Sequence, residues 1–399
     1  YGGCDRDPAL QKWPAMRIKV PQETNFKSGM VSIVGRPNVG KSTLFNALTE
    51  TAQAAAENYP FCTIEPNLGQ VPVPDERLAT LAGLAGSKEI IPTQLTFVDI
   101  AGLVKGAAQG EGLGNQFLSN VMGVDLILHV LRCFEDSDIT HVHNKVDPVG
   151  DFDTIMTELC LKDLESVEKR QSKMASLMKK AKNSGSTQEI KDLTAEEELL
   201  NKVRPALESG DYNAVYTLIT DASIATVPLL TAKKGLYIAN VSEDDFSGNA
   251  YEDNPHYQAM VSHFGRDKVI VVSAKIESEL AQMDEAEAAE MMESLEINQT
   301  GLTTIIKRAY QHLGLISFFT CGPKEAHAWS VRVGTKVPQA AGTIHSDMER
   351  GFICAEVYHC DDLIELKTEA ALKGAGKLRT EGKEYIVADG DVMLVRFNV

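Results

Sequence analysis

Short apolar runs alternate with helix-like stretches along most of the first 320 residues. The runs are almost continuously apolar, which is typical of strands buried on both faces of a parallel sheet. They cover residues 31–34, 94–98, 124–131, 235–240 and 268–273. Strands that alternate with helices predict an α/β fold with a doubly wound sheet, in which ligands bind at the carboxyl ends of the strands.

Residues 151–209 follow a different pattern, in which apolar side chains recur at spacings of four and three. The pattern predicts two helices, separated by the polar break at 183–186, that pair as an antiparallel coiled-coil hairpin inserted into the sheet domain. Its core positions, three of them polar, are Cys160, Leu164, Val167, Gln171, Met174, Met178, Ile190, Leu193, Glu197, Leu200, Arg204 and Leu207.

A basic cluster lies towards the predicted tip of this hairpin. It consists of Lys169, Arg170, Lys173, Lys179, Lys180 and Lys182. Two interpretations stay open. Such a charge run is either a solvated helix face or a contact for the phosphate backbone of a nucleic acid.

The ends of the chain differ from the sheet domain. Residues 1–27 contain three prolines and no sustained periodicity, and we expect a loose N-terminal arm. An acidic helix-like run at 277–296 is typical of a solvated face. From residue 316 to residue 399 the pattern predicts a compact α+β module with one charged helix near 361–372. The sheet domain is therefore expected at 28–150 and 210–315.

Composition limits the possible partners and the compartment. The net charge of −17 argues against a broadly basic surface for DNA, and no apolar run approaches the roughly 20 residues of a membrane helix. Seven scattered cysteines without a C-x-x-C pair favour reduced thiols in a cytoplasm-like compartment, which includes an organelle stroma or matrix. We expect a monomer that binds neither DNA nor membranes.

The first strand leads directly into Gly35-Arg-Pro-Asn-Val-Gly40-Lys41-Ser42, the spacing G-x-x-x-x-G-K-S. The glycines let consecutive backbone N–H groups face a phosphate chain at a helix N-terminus. Lys41 reaches the β- and γ-phosphates, and the Ser42 hydroxyl is a ligand for Mg²⁺. The sequence therefore predicts a site for a nucleoside triphosphate and magnesium.

Two further loops resemble those of translation-factor-type GTPases. Thr63 lies in a segment without helical periodicity, and Asp99 and Gly102 form the pattern D-x-x-G before a glycine-rich stretch. In that scheme Ser42 and Thr63 hold Mg²⁺, Asp99 acts through a water, and the Gly102 N–H meets the γ-phosphate. The loops then relax when the γ-phosphate leaves.

Two segments compete for the base-reading position. Residues 144–147 read N-K-V-D, the guanine-reading pattern, but they follow a poor strand and leave too little chain for a crossover helix. Residues 240–243 read N-V-S-E, follow a proper apolar strand and precede Ser273-Ala274-Lys275 in the correct order. We favour the second segment. Because Val241 and Glu243 replace the guanine clamp, binding should be relaxed or prefer adenine.

Long stretches of the chain resemble the YchF/Obg-like ATPase family from about residue 30 to residue 399. The matching text includes G-R-P-N-V-G-K-S, N-Y-P-F-C-T-I-E-P-N, D-I-A-G-L-V-K-G-A-A-Q-G-E-G-L-G, N-V-S-E and the terminal E-Y-I-V-A-D-G-D-V-M-L-V-R-F-N-V. The resemblance implies a Ras-like P-loop NTPase domain, a helical insertion and a C-terminal β-grasp (TGS) domain. It also implies a preference for ATP and association with ribosomes, specifically the large subunit, or with structured RNA.

The resemblance also implies roles for individual residues. The adenine lies beside Val241 and is read through the backbone there. A glutamine commonly follows the D-x-x-G glycine and orients the attacking water, but that position is Leu103, which cannot form hydrogen bonds. The family points instead to His129 as the catalytic residue, although a histidine in an apolar run is also typical of a core. The nucleotide-binding set is Asn38, Val39, Gly40, Lys41, Ser42, Thr43, Gly102, Asn240, Val241, Glu243, Ser273, Ala274 and Lys275.

Three functions are compatible with these patterns. The first is a magnesium-dependent ATPase switch that docks on ribosomes in its ATP-bound form. The second is a GTPase of the Obg type that reads guanine through residues 144–147. The third is a non-enzymatic adaptor, in which bound nucleotide only fixes the shape of a surface made by the hairpin and the C-terminal module.

Overall fold

The computed structural model describes residues 29–56, 68–99, 121–136, 145–222, 224 and 226–398. Twelve strands are found among these residues: β1 (Met30–Val34), β2 (Leu68–Pro72), β3 (Glu89–Ile91), β4 (Gln94–Asp99), β5 (Leu126–Arg132), β6 (Lys234–Asn240), β7 (Val269–Val272), β8 (Leu315–Cys321), β9 (Glu325–Arg332), β10 (Phe352–His359), β11 (Arg379–Glu381) and β12 (Asp391–Phe397).

The α-helices of the same residues are α1 (Lys41–Ala56), α2 (Glu76–Ala85), α3 (Pro148–Ser184), α4 (Thr187–Glu208), α5 (Tyr212–Asp221), α6 (Glu243–Phe246), α7 (Pro255–Phe264), α8 (Ala274–Leu280), α9 (Glu285–Ser294), α10 (Gly301–His312), α11 (Val337–Ile344), α12 (Ser346–Arg350), α13 (Cys360–Leu366) and α14 (Glu369–Gly374). Short 3₁₀ helices cover Ser247–Asp253 and Arg266–Lys268. None of the helices in the described part of the chain combines the length and apolar character of a membrane span.

The first sheet has six strands in the order β2-β4-β1-β5-β6-β7. The five strands from β4 to β7 pair in parallel, as the apolar runs predicted, and the α/β fold class is confirmed. A further strand that the apolar runs did not predict lies at one edge, where β2 pairs antiparallel to β4 with Leu68 opposite Val98. The sequence of β2, L-G-Q-V-P, gave no continuous apolar run because only alternate residues are buried.

The hairpin consists of α3 and α4, which are 37 and 22 residues long. The first helix starts at Pro148, three residues before the predicted start, because Asp147 caps it and the proline occupies its first turn. Of the three polar core positions, Glu197 is exposed and the neighbouring Glu196 is buried instead. The apolar core of the hairpin includes Val167, Met174, Leu193, Leu200 and Leu207.

The C-terminal residues form a second six-stranded sheet in the order β11-β10-β12-β8-β9-β3. The edge strand β3 comes from the region between β2 and β4, and it pairs in parallel with β9 through Ile90 and Ala326. Its three residues were too short to be predicted as a strand. The chain thus contributes one element from the middle of the nucleotide-domain sequence to the C-terminal sheet.

Two predicted helices are divided in the structure. The charged helix expected near 361–372 is two helices, α13 and α14, because Lys367 between them adopts a left-handed conformation with a φ of 65°. The acidic run at 277–296 likewise contains the end of α8 and the separate helix α9. The latter begins at a capping box formed by Asp284 and Glu287.

Candidate nucleotide-binding site

The loop between β1 and α1 adopts the conformation that its sequence predicts. Asn38 and Gly40 have positive φ values of 62° and 93°, and the Lys41 side chain folds back so that its Nζ donates to the Arg36 carbonyl oxygen at 2.6 Å. Burial lowers the pKa of Lys41 to about 8, although the nearby Asp99 carboxylate acts in the opposite direction. The amine therefore lies inside the loop, at the position from which it can meet a phosphate.

Glycine is required for steric reasons at both glycine positions of the G-x-x-x-x-G-K-S pattern, Gly35 and Gly40. A Cβ atom at Gly35 would lie 2.6 Å from the Val130 carbonyl oxygen, and one at Gly40 would lie 2.3 Å from the Asn240 Nδ2. The loop also needs its left-handed residue at Gly40. Val39 is fully buried in the core beneath the loop, whereas Ser42 and Thr43, in the first turn of α1, are exposed.

Oxygen atoms that fit Mg²⁺ meet at the carboxyl ends of β1 and β4. The register places Asp99 beside Ile33, and the Ser42 Oγ lies 3.4 Å from the Asp99 Oδ2. The Asp99 Oδ1 is buried and has no hydrogen-bond partner among the described residues. Burial raises the pKa of Asp99, while Lys41 and Ser42 partly offset that effect. A hydroxyl and a carboxylate oxygen are ligands that Mg²⁺ prefers, so these residues fit the ion.

Asn240, the last residue of β6, connects two loops of the site. Its Nδ2 donates to the Val39 carbonyl oxygen at 2.9 Å, and its Oδ1 accepts from the Ala274 backbone N–H at 2.9 Å. The side chain is 3% exposed, so both bonds are shielded from water. Asn240 therefore holds the phosphate loop against the Ser273-Ala274-Lys275 segment that follows β7.

The residues after Asn240 provide an apolar position followed by an acidic one. Val241 is 2% exposed and its backbone N–H donates to the Val272 carbonyl oxygen at 2.9 Å. The Glu243 Oε2 accepts from the Lys275 Nζ at 2.6 Å. The carboxylate at the position of the guanine-reading aspartate is thus already engaged by the lysine of the Ser-Ala-Lys segment. Ser273 is buried and precedes α8 as its N-cap residue.

The competing segment at 144–147 has a different environment. Asp147 caps α3, and its Oδ1 accepts from the Gly150 backbone N–H at 3.0 Å. A carboxylate that caps a helix follows from the D-P sequence, in which the proline occupies the first helical turn. Asn144 lies outside the described residues. So do Thr63, Gly102, Leu103 and the N-terminal arm, and their predicted roles stay predictions.

His129 lies in the middle of β5, beside Val34 in the register. Its ring stacks on Tyr237 and meets Phe152 edge-on, with ring centroids 5.7 Å and 4.9 Å away. The side chain is 3% exposed, and burial lowers its pKa to about 3, so the imidazole is neutral at physiological pH. Its Nδ1 has no partner among the described residues. These contacts are those of a core histidine, and its catalytic role stays a prediction.

Sequence reasoning missed two buried charged contacts near the site. Arg36, inside the phosphate loop, faces Asp151 from the first turn of α3. Glu277, two residues after Lys275, accepts from the backbone N–H groups of Gly301 and Leu302 at the start of α10, and burial raises its pKa to about 7. Neither pair has a spacing that a sequence pattern reveals, because each joins elements far apart in the chain.

Fold and site together define a P-loop protein that binds nucleoside triphosphates. A family model described as "50S ribosome-binding GTPase" matches residues 30–171. Another, YchF-GTPase_C, described as "Protein of unknown function (DUF933)", matches residues 315–398. The two models thus include strands of both sheets, whereas β6 and β7 of the first sheet lie outside them.

Whole-chain relatives identify the family. The "Ribosome-binding ATPase YchF" of Bacillus subtilis is 48% identical over 369 residues, which are 92% of this chain and 98% of the relative. "Obg-like ATPase 1" of Oryza sativa subsp. japonica is 46% identical over 98% of each chain. The structure titled "Structure of the Schizosaccharomyces pombe YchF GTPase" matches with a TM-score of 0.78 and 39% identity, covering 93% of this chain and 98% of that one. The chain belongs to the YchF/Obg-like ATPase family, as its motifs predicted.

Proposed function

We propose that this protein is a magnesium-dependent ATPase that prefers ATP to GTP and acts as a switch on ribosomes. The observation that carries the base preference is the arrangement after β6. Val241 replaces the lysine of the guanine motif, and the Glu243 carboxylate is paired with Lys275. Guanine N1–H and its exocyclic amine would have to compete with that ammonium group. Adenine lacks this requirement and is read here through the backbone near Val241.

We assign the remaining residues the roles in phosphate binding and Mg²⁺ binding that the motifs predict. Lys41 and the backbone of Asn38–Thr43 hold the phosphates, and Ser42, Thr63 and, through a water, Asp99 hold Mg²⁺. The ion shields negative charge on the transferred phosphate when it is bound. Gly102 meets the γ-phosphate. Because Leu103 cannot orient water, intrinsic turnover is slow, and we assign His129 the assisting role.

Side-by-side titration of ATP and GTP tests the base preference. We expect the wild-type protein to bind ATP at least tenfold more tightly. The double variant Val241→Lys, Glu243→Asp restores the N-K-x-D pattern and should shift the preference towards GTP, whereas Glu243→Asp alone should have a smaller effect. Tighter binding of GTP by the wild-type protein would contradict the proposal and favour an Obg-type GTPase.

The pKa of Lys41 gives the phosphate site a signature in pH. Because the amine of the free protein titrates near pH 8, it loses its charge above that pH and must regain a proton to meet a phosphate. We expect the affinity for ATP to fall about fivefold between pH 8 and pH 9. A Lys41→Met variant should bind far more weakly and show no such step. The same step in that variant would assign the titration to another group.

Hydrolysis is tested by multiple-turnover phosphate release with and without ribosomes. We expect slow release by the isolated protein and faster release on ribosomes. His129→Ala should abolish the stimulation while leaving the affinity for ATP unchanged, and unchanged stimulation would remove His129 from the mechanism. If no phosphate is released with or without ribosomes, the result would support the adaptor hypothesis.

The ribosomal partner is proposed because relatives carry the name "Ribosome-binding ATPase YchF". The hairpin tip offers a suitable contact. Lys173, Lys179, Lys180 and Lys182 are exposed, whereas Arg170 is engaged by the buried Glu196 carboxylate through two bonds of 2.9 Å and 2.7 Å. The protein should co-sediment with large ribosomal subunits in the presence of ATP, and the interaction should weaken steeply as the salt concentration rises.

A charge-neutral tip provides the matched comparison for this experiment. The triple variant Lys179→Ala, Lys180→Ala, Lys182→Ala should lower pelleting about tenfold, whereas Lys268→Ala and Lys307→Ala on the nucleotide domain should not. Equal co-sedimentation of both sets of variants would assign the contact to another surface.

We further propose that the protein is a monomer in a cytoplasm-like compartment. We propose an N-terminal arm at 1–27, a nucleotide domain at 28–150 and 210–315, an inserted hairpin at 151–209 and a TGS domain at 316–399.

A further inference from the structure

A buried ion pair joins the phosphate loop to the hairpin. The Arg36 Nε lies 3.7 Å from the Asp151 Oδ1, and the two side chains are only 1% and 3% exposed. Arg36 is the residue directly after Gly35, and Asp151 lies in the first turn of α3. Each of two opposite charges buried in this way is stabilised in part by the other, so removal of one partner weakens what holds the second.

Arg36 also controls the position of the phosphate-binding lysine. Its carbonyl oxygen accepts from the Lys41 Nζ at 2.6 Å. The side chain of Arg36 is therefore fixed by the hairpin, while its backbone receives the amine that meets the phosphates. A shift of the first turn of α3 would be transmitted through one residue to Lys41.

Further contacts join the hairpin root to the nucleotide domain, so a shift of the first turn of α3 would also involve these contacts. Asp163, 1% exposed, accepts from the backbone N–H groups of Leu230 and Thr231, both at 2.8 Å, and from the Thr231 hydroxyl at 2.7 Å. Two residues further, the Lys233 Nζ donates to the carbonyl oxygens of Met122 and Val124. Phe152 packs in the core beneath β5. The root of α3 is thus joined to the nucleotide domain at several points beyond the Arg36–Asp151 pair.

We propose that Asp151 is a positioning residue for the phosphate loop, so that the first turn of the hairpin sets the affinity for nucleoside di- and triphosphates. This inference rests on the proposed nucleotide binding. It goes beyond that function because the position of the hairpin would affect the phosphate site through the Arg36–Asp151 pair. The hairpin would then do more than provide a contact surface. Whatever displaces the hairpin root changes how tightly ATP is held.

The central experiment compares Asp151→Asn with the matched control Asp153→Asn. Asp153 lies on the same helix two residues away and is exposed, and its carboxylate accepts from the Tyr212 hydroxyl at 3.2 Å, a bond that an amide oxygen can also accept. We expect Asp151→Asn to raise the dissociation constants of ATP and ADP about tenfold and Asp153→Asn to leave them unchanged. In phosphate release, KM should rise about tenfold for Asp151→Asn with little change in kcat.

A double-variant cycle separates positioning from general damage to the fold. Arg36→Leu removes the other partner, so the same ion pair is missing from either single variant and from the double variant. We therefore expect the double variant to bind ATP no more weakly than Asp151→Asn alone. Multiplicative losses from the two substitutions would overturn the proposal, as would equal losses from Asp151→Asn and Asp153→Asn.

Amide hydrogen exchange distinguishes a positioning role of Asp151 from a purely structural one. Because coupling between two sites is reciprocal, ATP should slow exchange in the first turn of α3 in the wild-type protein and not in Asp151→Asn. Equal slowing in both proteins would contradict the inference. If the wild-type protein binds neither ATP nor GTP, the proposed function fails. If it binds ATP and Asp151→Asn binds equally well, only this inference fails.

Discussion

The hairpin and the C-terminal module are attached to the nucleotide-binding sheet in different ways. The root of the hairpin is joined to the sheet by buried polar contacts such as Asp163–Thr231 and by apolar side chains such as Phe152 and Ile155, and beyond the root the hairpin has an apolar core of its own. The module shares its apolar core with an element of the nucleotide domain, because Leu78 and Leu81 of α2 pack against Phe319 of β8. The hairpin beyond its root can therefore loosen without opening the core of the sheet, whereas separation of the module would expose a core that both parts share.

The place where the module is attached explains why this difference matters. The segment containing α2 and β3 lies between β2 and β4, and β4 ends at Asp99. Polar contacts made by three side chains, Arg77, Thr93 and Tyr310, reinforce the shared core. Arg77 bonds Asp75 and Asp389, the Thr93 hydroxyl lies 2.6 Å from that of Ser330, and the Tyr310 hydroxyl lies 2.6 Å from Ser330 and 3.0 Å from Ser317. The module is thus attached beside the strand pair β2–β4, which leads to Asp99, the carboxylate proposed to act on Mg²⁺ through a water.

The largest expected difference comes from the same substitution in the two cores. Leu81 and Leu200 are both fully buried, the first between α2 and the C-terminal sheet and the second in the hairpin. Leu81→Ala should lower the free energy of global unfolding by about 3 kcal/mol. Leu200→Ala should mainly speed hydrogen exchange within the hairpin. Urea unfolding and exchange mass spectrometry distinguish the two, and equal effects on global unfolding would remove the contrast.

Glu277 should make the attachment of the module depend on pH. Its carboxylate caps α10, which leads into β8, and burial raises its pKa from 4.5 to about 7. Because the folded-state pKa is the higher one, its stabilising contribution is complete below about pH 4.5 and is lost as the pH rises through 7.

The variant Glu277→Gln removes this titration. Its free energy of unfolding should therefore rise relative to the wild type by about 2 kcal/mol between pH 5 and pH 8. Glu279→Gln, on the same helix, serves as the control and should show no such trend. A difference between Glu277→Gln and the wild type that stays constant with pH would show that the carboxyl group does not titrate in this range.

Arginine ion pairs in the two regions should differ in strength. Arg77 bonds two carboxylates, with its side chain 30% exposed, and its guanidinium lies 5.3 Å from the centre of the Phe319 ring. Arg204 bridges the hairpin helices with its side chain 43% exposed. We expect Arg77→Ala to cost about 1.5 kcal/mol in urea unfolding and Arg204→Ala to cost less, because solvent screens the exposed pair. A reversed order would show that the hairpin bridge is the stronger one.

The smallest effect should come from the hydroxyl network beside Thr93. Tyr310→Phe removes a buried hydroxyl that bonds Ser317 and Ser330, and it should cost about 1 kcal/mol. Tyr216→Phe, exposed on α5 near the hairpin root, should have little effect on stability. Thermal unfolding of both variants measures the difference, and similar losses would mean that the network contributes nothing specific.

The sequence predicted the main features of the fold from local patterns. Continuous apolar runs located β1 and β4 to β7, and the four-and-three spacing located the hairpin. Prediction failed where burial was one-sided or pairing was remote. Burial alternates along β2, but its sequence L-G-Q-V-P shows no clear alternation of apolar and polar residues, and the three residues of β3 are too few to reveal a period. The left-handed Lys367 divided a helix that periodicity had joined.

For the site, sequence spacing identified residues whose roles are set within a few positions. The G-x-x-x-x-G-K-S pattern specifies a loop that folds back on itself, and steric contacts at Gly35 and Gly40 explain its glycines. Strand context also favoured Asn240 over Asn144, and the structure brings Asn240 to both Val39 and Ala274. These features follow from the order of strands and from contacts between near neighbours in the chain.

Only the tertiary structure decided which distant charges meet. Nothing in the local sequence indicates that Arg36 faces Asp151, that Glu277 caps α10, or that β3 completes the C-terminal sheet. Side-chain periodicity records whether a residue is buried, but it does not record its partner, because the partner depends on how whole elements pack. The sequence by itself determined the phosphate loop, and the packing of the hairpin root and the C-terminal module determined what that loop is connected to.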